Sequence, residues 1–138
     1  MKINILIVDD HPYTRAGVRA ILEGNSEISI IGEAVDGLDA INQVIEKEPY
    51  MIIMDITMPN LSGIDATREI LDKFPDVKVI ALSIHSGEKF VKEMLKAGAV
   101  AYLLKDEVPE ELLAAINKVT KGEMYLSSGV TRAALSKT

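Results

Sequence analysis

Five short apolar runs recur along the chain, separated by longer mixed segments. Isoleucine and valine dominate them, and three runs are nearly continuous rather than alternating. This pattern is typical of parallel strands that are covered on both faces. The predicted strands are Ile3–Val8, Ile28–Val35, Tyr50–Met54, Val77–Ser83 and Val100–Leu104.

The segments between these runs carry apolar residues at the spacing of an amphipathic helix. One such helical face is formed by Leu38, Ile41, Val44 and Ile45. Pro12 and Pro109 fit the first turn of a helix, and Gly98 fits a position just after one. The sequence therefore predicts a strand followed by a helix, five times over.

Alternating strands and helices predict an α/β fold with right-handed crossovers and helices on both faces of an open, doubly wound sheet. By analogy with other five-stranded sheets of this class, we expect the flavodoxin-like strand order 2-1-3-4-5, with the functional site at the carboxyl ends of the strands. We expect this domain to span residues 1–122. The polar segment 123–138, rich in small residues, indicates a linker or a frayed final helix.

Composition narrows the class of protein further. The 138 residues suit one domain, and a net charge of −6 disfavours nucleic acid or anionic membranes as partners of the domain itself. The absence of cysteine excludes disulfides, thiolate metal sites and thiol nucleophiles. No apolar run approaches the roughly 18 residues that span a bilayer, and the first ten residues do not form a signal peptide. We therefore expect a cytoplasmic protein.

Polar side chains follow the predicted strands at their carboxyl ends. Asp9 and Asp10 follow the first strand, Asp55 follows the third, Ser83 ends the fourth, and Lys105 follows the fifth. Each alone has an ordinary explanation, as a helix cap, a turn residue or a solvated lysine. In a doubly wound fold all five residues would lie at the same edge of the sheet. The ordinary explanations do not account for that shared position.

Three carboxylates at one edge would need compensation. Two unit charges about 4 Å apart repel by roughly 4 kcal/mol at an effective dielectric near 20. Either the carboxyl pKa values rise or a cation binds among them. Because the available ligands are oxygens, we expect a hard ion, and Mg²⁺ before Ca²⁺. Mg²⁺ with Lys105 opposite would suit phosphate oxygens, which makes Asp55 a candidate nucleophile that accepts a phosphoryl group.

A larger set of residues carries a family resemblance. It comprises Asp9-Asp10, Asp55 followed by Met58-Pro59 and Gly63, then Ser83, Tyr102 and Lys105. This set resembles the receiver domain of two-component response regulators over residues 1–122. The segments VDDHP, LSIH, LKAGAVAYLLKD, EELLAAI and GEMYLS resemble the NarL/FixJ (LuxR-type) branch of that family.

The resemblance implies a role for each matching residue around the metal. Asp55 would accept the phosphoryl group. Asp10 and Asp55 would ligate Mg²⁺ directly, Asp9 would act mainly through water, and the backbone carbonyl of Thr57 would supply another ligand. His11, next to the acid pair, is assigned a local structural role in preference to a chemical one.

The resemblance also implies a switch. Lys105 would pair with the phosphoryl oxygens, Ser83 would hydrogen-bond to one of them, and Tyr102 would change rotamer when Ser83 moves, although it could also be only a packed ring. For His85 two interpretations stay open, a loop histidine or a group that tunes how water reaches the aspartyl-phosphate in dephosphorylation. Asp106 stands where many receivers have proline, so we do not expect a cis peptide there.

The implied function is a phosphorylation-switched receiver that controls a transcriptional output. A histidine kinase or phosphotransfer protein would be its partner, and phosphorylation could drive homodimerisation. DNA would be bound only by a helix-turn-helix output domain that residues 123–138 would connect, and no membrane partner is expected. The alternatives are a stand-alone receiver that acts through protein contacts and an Mg²⁺-dependent aspartyl phosphatase. The phosphatase is disfavoured because Thr57 replaces the second acid of its DxD motif. A degenerate receiver is disfavoured by the complete set of acids, serine and lysine.

Overall fold

The computed structural model describes residues 2–131, which form one parallel sheet flanked by helices. The strands are β1 (Ile3–Val8), β2 (Ile28–Ala34), β3 (Met51–Asp55), β4 (Lys78–Ser83), β5 (Ala101–Leu104) and β6 (Tyr125–Leu126). The helices are α1 (Pro12–Leu22), α2 (Gly37–Lys47), α3 (Gly63–Lys73), α4 (Glu88–Ala97) and α5 (Val108–Thr120), with a 3-10 turn at Lys105–Glu107. None of the helices in this range is long and apolar enough to cross a membrane.

The strand order is β2-β1-β3-β4-β5-β6, and every pairing is parallel. This confirms the doubly wound sheet and the predicted order of its first five strands. The structure adds a sixth strand to the five that were predicted, because Tyr125 and Leu126 pair with Ala101 and Tyr102. Residues 123–131 therefore include an ordered strand where we expected a linker or frayed helix, while residues 132–138 lie outside the described range.

The sheet separates two apolar cores. Side chains of a strand point alternately to its two faces, so Ile52 and Met54 of β3 join the core under α2, α3 and α4. Met51 and Ile53 of the same strand join the core under α1 and α5. All five residues of β3 are buried, which makes it the most protected strand and fixes the position of its last residue, Asp55.

Local sequence signals start and end the helices. The side chains of Asp36 and Ser62 accept hydrogen bonds from the backbone N–H groups of Asp39 and Asp65, which caps α2 and α3. Gly98 ends α4 with φ of 116°, a left-handed conformation that favours glycine. The first two caps fix where α2 and α3 begin at the carboxyl edge of the sheet.

Candidate functional site

The polar residues that follow the strands do meet at one edge of the sheet. The Lys105 ammonium lies 2.9 Å from Asp9 Oδ2 and 3.2 Å from Asp55 Oδ1. Asp9 and Asp55 are only 1% and 3% exposed. One lysine from the turn after β5 therefore bridges two buried carboxylates from β1 and β3, which is the convergence that the strand pattern predicted.

The loop after β3 holds Asp55 by close backbone packing. The Gly63 N–H donates a hydrogen bond to the carbonyl of Ile56 at 2.8 Å. A Cβ at Gly63 would overlap the carbonyl oxygen of Asp55, so only glycine allows α3 to begin this close to the strand. Asn60 makes the preceding turn with φ of 68°. The loop sequence thus places the first residue of α3 against the backbone of Asp55.

The loop after β1 is organised around Asp9. Its Oδ1 accepts a hydrogen bond from the backbone N–H of His11 at 2.8 Å, and Nδ1 of His11 lies 3.3 Å from the same oxygen. Nδ1 also lies 3.2 Å from Asp10 Oδ1. Arg15 donates to the backbone carbonyl of Asp9 at 2.6 Å while its Nε binds Glu33 of β2.

Arg15 was missed by the sequence reasoning. Its only signal is a basic residue in the first turn of α1. That position does not reveal which carbonyl the guanidinium would reach across the loop.

The carboxylates form a set of oxygens suited to a cation. Asp9, Asp10, His11 and Asp55 each offer a ligand atom, and these atoms lie within 4.8 Å of one another. Three buried carboxylate oxygens are poorly satisfied. Asp55 Oδ2 has no hydrogen-bond partner, Asp9 Oδ2 contacts only the Lys105 ammonium at 2.9 Å, and Asp10 Oδ1 contacts only His11 Nδ1 at 3.2 Å. Buried anionic oxygens without donors are costly. A hard divalent cation, which prefers oxygen ligands, would satisfy them.

The charges at the site shift the pKa values of two groups. Burial, followed by the nearby Asp9 carboxylate, raises the pKa of Asp55 to about 6, although the Lys105 ammonium opposes the rise. Burial works to lower the pKa of Lys105, but the carboxylates of Asp9 and Asp55 outweigh it and raise that pKa above its ordinary value. Asp55 is therefore less acidic than an exposed aspartate, and Lys105 stays charged at neutral pH.

A second network lies beside the acids at the ends of β4 and β5. Ser83 Oγ accepts a hydrogen bond from the His85 N–H at 2.9 Å, and the Tyr102 hydroxyl donates to the His85 carbonyl at 2.7 Å. Tyr102 is fully buried, and the His85 ring stacks on Phe90 of α4 with ring centroids 4.1 Å apart. The backbone of His85 is therefore held from both sides, and its side chain packs against α4.

Thr57 lies in the loop after β3, two residues beyond Asp55, and is exposed. Its place in the chain puts it next to the acidic cluster. The residues to which the sequence analysis gave a site role lie at the carboxyl edge of the sheet or in a loop that follows it, except Tyr102, which lies within β5 and reaches His85 through its hydroxyl.

Comparison with known proteins agrees with this geometry. The sequence profile of the family described as "Response regulator receiver domain" matches residues 5–117. The transcriptional regulatory protein DegU of Brevibacillus brevis is 42% identical over 130 residues, which cover 94% of this chain and 55% of DegU. The chain spans between 55% and 64% of the length of this and four other curated relatives.

Solved structures show the same fold. A two-component response regulator of the LuxR family from Aurantimonas sp. SI85-9A1 superposes with a TM-score of 0.92 at 30% identity, covering 99% of both chains. The RcsB response regulator, solved as two dimers bound to two parallel DNAs, superposes with a TM-score of 0.89 at 26% identity. That match covers 96% of this chain and 68% of RcsB.

Proposed function

The chain belongs to the response regulator receiver domain family, and from that premise we propose that Asp55 accepts a phosphoryl group from a sensor histidine kinase or phosphotransfer protein. The observation that carries the proposal is the setting of Asp55. It is buried at the end of the central strand, one of its oxygens lacks a hydrogen-bond donor, and a lysine ammonium lies 3.2 Å from the other.

The chemistry is a phosphoryl transfer between two side chains. A carboxylate oxygen of Asp55 forms a bond to phosphorus while the phosphorus–nitrogen bond of the donor phosphohistidine breaks, and the imidazole leaves. With a pKa of about 6, Asp55 is mostly ionised at pH 7 and is a nucleophile. Water later attacks the aspartyl-phosphate, which restores the carboxylate and releases inorganic phosphate. The domain is thus regulatory, and its catalysis is confined to its own phosphorylation and dephosphorylation.

We assign Mg²⁺ as the cofactor. Asp10 and Asp55 would ligate it directly, Asp9 through water, and the backbone carbonyl of Thr57 would complete the protein ligands. The unpartnered buried oxygen of Asp55 and the ligand atoms clustered within 4.8 Å of one another support this assignment. When bound, the ion supplies positive charge that offsets the negative charge of the transferring phosphoryl group. Arg15 contributes by fixing the carbonyl of Asp9, and hence the loop that carries two of the ligands.

Phosphorylation would be read by Lys105, Ser83 and Tyr102. The phosphoryl group adds about −1.5 to −2 charge and three strong acceptors. The ammonium of Lys105 and the hydroxyl of Ser83 are the donors able to reach these acceptors. A shift of Ser83 would change the hydrogen bond that Tyr102 makes to His85 and would repack the face of α4, β5 and α5. His85 lies in the loop after β4, two residues beyond Ser83. We therefore assign it a role in admitting the water that dephosphorylates Asp55.

The output of the switch is transcriptional in this proposal. DegU is named a transcriptional regulatory protein, and RcsB has been solved as dimers on DNA. We propose that the receiver predicted for residues 1–122 extends through β6, that the part of segment 123–138 after this strand leads towards a DNA-binding output domain, and that phosphorylation promotes homodimerisation. DNA contacts belong to the output domain, since the chain carries a net charge of −6.

The central claim is tested with a small phosphodonor. The 138-residue chain is incubated with acetyl phosphate and Mg²⁺, and its intact mass is measured. We expect one phosphoryl adduct that is lost in base and is absent from Asp55→Asn. Asp72→Asn, which changes an exposed aspartate on α3, serves as the matched control and should be modified like the wild type. An unmodified wild type, or equal modification of Asp55→Asn, would show that the acceptor is wrongly assigned.

A further inference from the structure

The unpredicted strand β6 leads into a segment that is tied to the turn carrying Lys105. Ser127, directly after β6, is fully buried although it is polar. Its backbone N–H donates to the carbonyl of Tyr102 at 3.0 Å, and its Oγ accepts a hydrogen bond from the N–H of Leu104 at 3.2 Å. Its hydroxyl donates to Glu107 Oε1 at 2.6 Å. One serine therefore holds the chain on both sides of Lys105.

Glu107 extends this connection to the next residues. Its carboxylate also accepts the N–H of Gly129, at 2.8 Å to Oε2 and 3.0 Å to Oε1. A Cβ at Gly129 would lie 2.5 Å from Leu104 Cδ1 and 2.9 Å from Glu107 Oε1, so a side chain there would require both of those side chains to shift. The contact between the lysine turn and residues 127–129 is close as well as hydrogen-bonded.

A second carboxylate fastens the same segment to α5. Glu111 accepts the Tyr125 hydroxyl at 2.7 Å and the Ser128 N–H at 3.0 and 3.1 Å. The hydrogen bond from the Tyr125 hydroxyl to Glu111 raises the pKa of Tyr125 to about 12, so this hydroxyl stays a donor at neutral pH. Residues 128–131 then begin a helix, with the Thr131 N–H donating to the carbonyl of Ser127. We call the contacts of residues 125–129 with Glu107 and Glu111 the exit clamp.

We propose that Ser127 is a positioning residue for Lys105 and that the exit clamp couples phosphorylation of Asp55 to the chain segment after β6. The inference rests on the proposed function, because it requires Lys105 to bind the phosphoryl group. Opening the clamp frees both ends of the lysine turn, so the open form binds the phosphoryl group more weakly than the closed form. By thermodynamic reciprocity, a phosphoryl group must then favour the closed clamp.

This coupling makes two measurable predictions for the 138-residue chain with Mg²⁺ and beryllofluoride as the phosphoryl mimic. In the wild type, the mimic should slow hydrogen exchange of the Ser128 and Gly129 amides. In Ser127→Ala, the dissociation constant of the mimic should rise roughly three- to tenfold, the ratio that corresponds to one lost buried hydrogen bond. The slowing of amide exchange should shrink in the same variant.

Ser128→Ala is the matched control, because it removes the hydroxyl of the neighbouring exposed serine and leaves the backbone contact to Glu111 in place. It should bind the mimic like the wild type. Glu107→Ala removes the other partner of the Ser127 hydroxyl at a half-buried position and should weaken binding in the same direction. If circular dichroism shows that Ser127→Ala does not fold, the affinity of Glu107→Ala for the mimic tests the proposal instead.

The outcomes separate this inference from the proposed function. A wild type that binds no mimic in Mg²⁺ overturns the proposed function and the coupling with it. The coupling alone is overturned if the wild type binds the mimic and both clamp variants, Ser127→Ala and Glu107→Ala, behave like Ser128→Ala. The quantities compared are the dissociation constant of the mimic and the slowing of amide exchange that it causes. Weaker binding in both clamp variants, with normal binding in Ser128→Ala, supports it.

Discussion

Asp55→Asn should stabilise the metal-free protein at neutral pH and leave its stability nearly unchanged at pH 4. The pKa of Asp55 is raised from 3.8 to about 6, first by burial and then by the Asp9 carboxylate. The folded state therefore binds this proton more tightly than the unfolded state does. Its contribution to the free energy of unfolding is fully present below about pH 4 and is lost as the pH rises through about 6.

The size of the effect follows from the same shift. A pKa difference of about two units corresponds to about 3 kcal/mol at 1.36 kcal/mol per unit. Asparagine keeps the shape of the side chain and can still accept a hydrogen bond from Lys105, but it carries no charge to desolvate. Above pH 7 the variant should accordingly be more stable than the wild type by up to about 3 kcal/mol.

Urea denaturation from pH 4 to pH 8, in a chelating buffer that removes divalent cations, measures this difference. The difference between variant and wild type should grow between pH 4 and pH 6 and then level off. Asp72→Asn, at an exposed position, should show no such step. The reasoning would be refuted by a pH-independent difference, or by an Asp55→Asn protein that is less stable than the wild type at pH 8.

Two further predictions concern the packing and the switch. Gly63→Ala places a methyl group against the backbone carbonyl of the last β3 residue and should lower the free energy of unfolding by about 2–3 kcal/mol. Gly17→Ala, in the open interior of α1, should raise it by about 0.5–1 kcal/mol. Equal effects in urea denaturation would contradict this account. Lys105→Ala and Ser83→Ala should still bind Mg²⁺ by calorimetry but lose the phosphorylation-dependent NMR shift of the Tyr102 ring. That account is wrong if the shift is unchanged in both variants.

The sequence predicted the parts of this protein that follow from periodicity and topology. Continuous Ile/Val runs identified the first five strands, and the strand order assumed by analogy placed Asp9, Asp55 and Lys105 at one edge of the sheet. Because the carboxyl ends of parallel strands lie at the same edge of the sheet, no side-chain detail was needed for this prediction. That this edge could hold a cation was predicted from its charges and its oxygen ligands, and the structure does bring Asp9, Asp10 and Asp55 together there.

What the sequence did not reveal depends on single contacts. A two-residue strand such as Tyr125–Leu126 is too short to show a period, and its pairing is fixed by tertiary hydrogen bonds. The same holds for Arg15, which reaches a backbone carbonyl, and for Ser127, which looks like an ordinary polar residue of a tail. Such contacts depend on side-chain directions that a one-dimensional pattern does not contain.

Strand β6 also has a consequence for how the protein behaves among its own copies. The sequence of β5 is AYLL, and its first three residues are buried. Without Tyr125 and Leu126, the outer backbone groups of Ala101 and Tyr102 would form an apolar sheet edge, which is a template for edge-to-edge association. Two residues are enough to cover that edge, and so short an outer strand offers little for another chain to pair with. A fragment cut at residue 122 would therefore be more prone to self-associate than one that extends past Ser127.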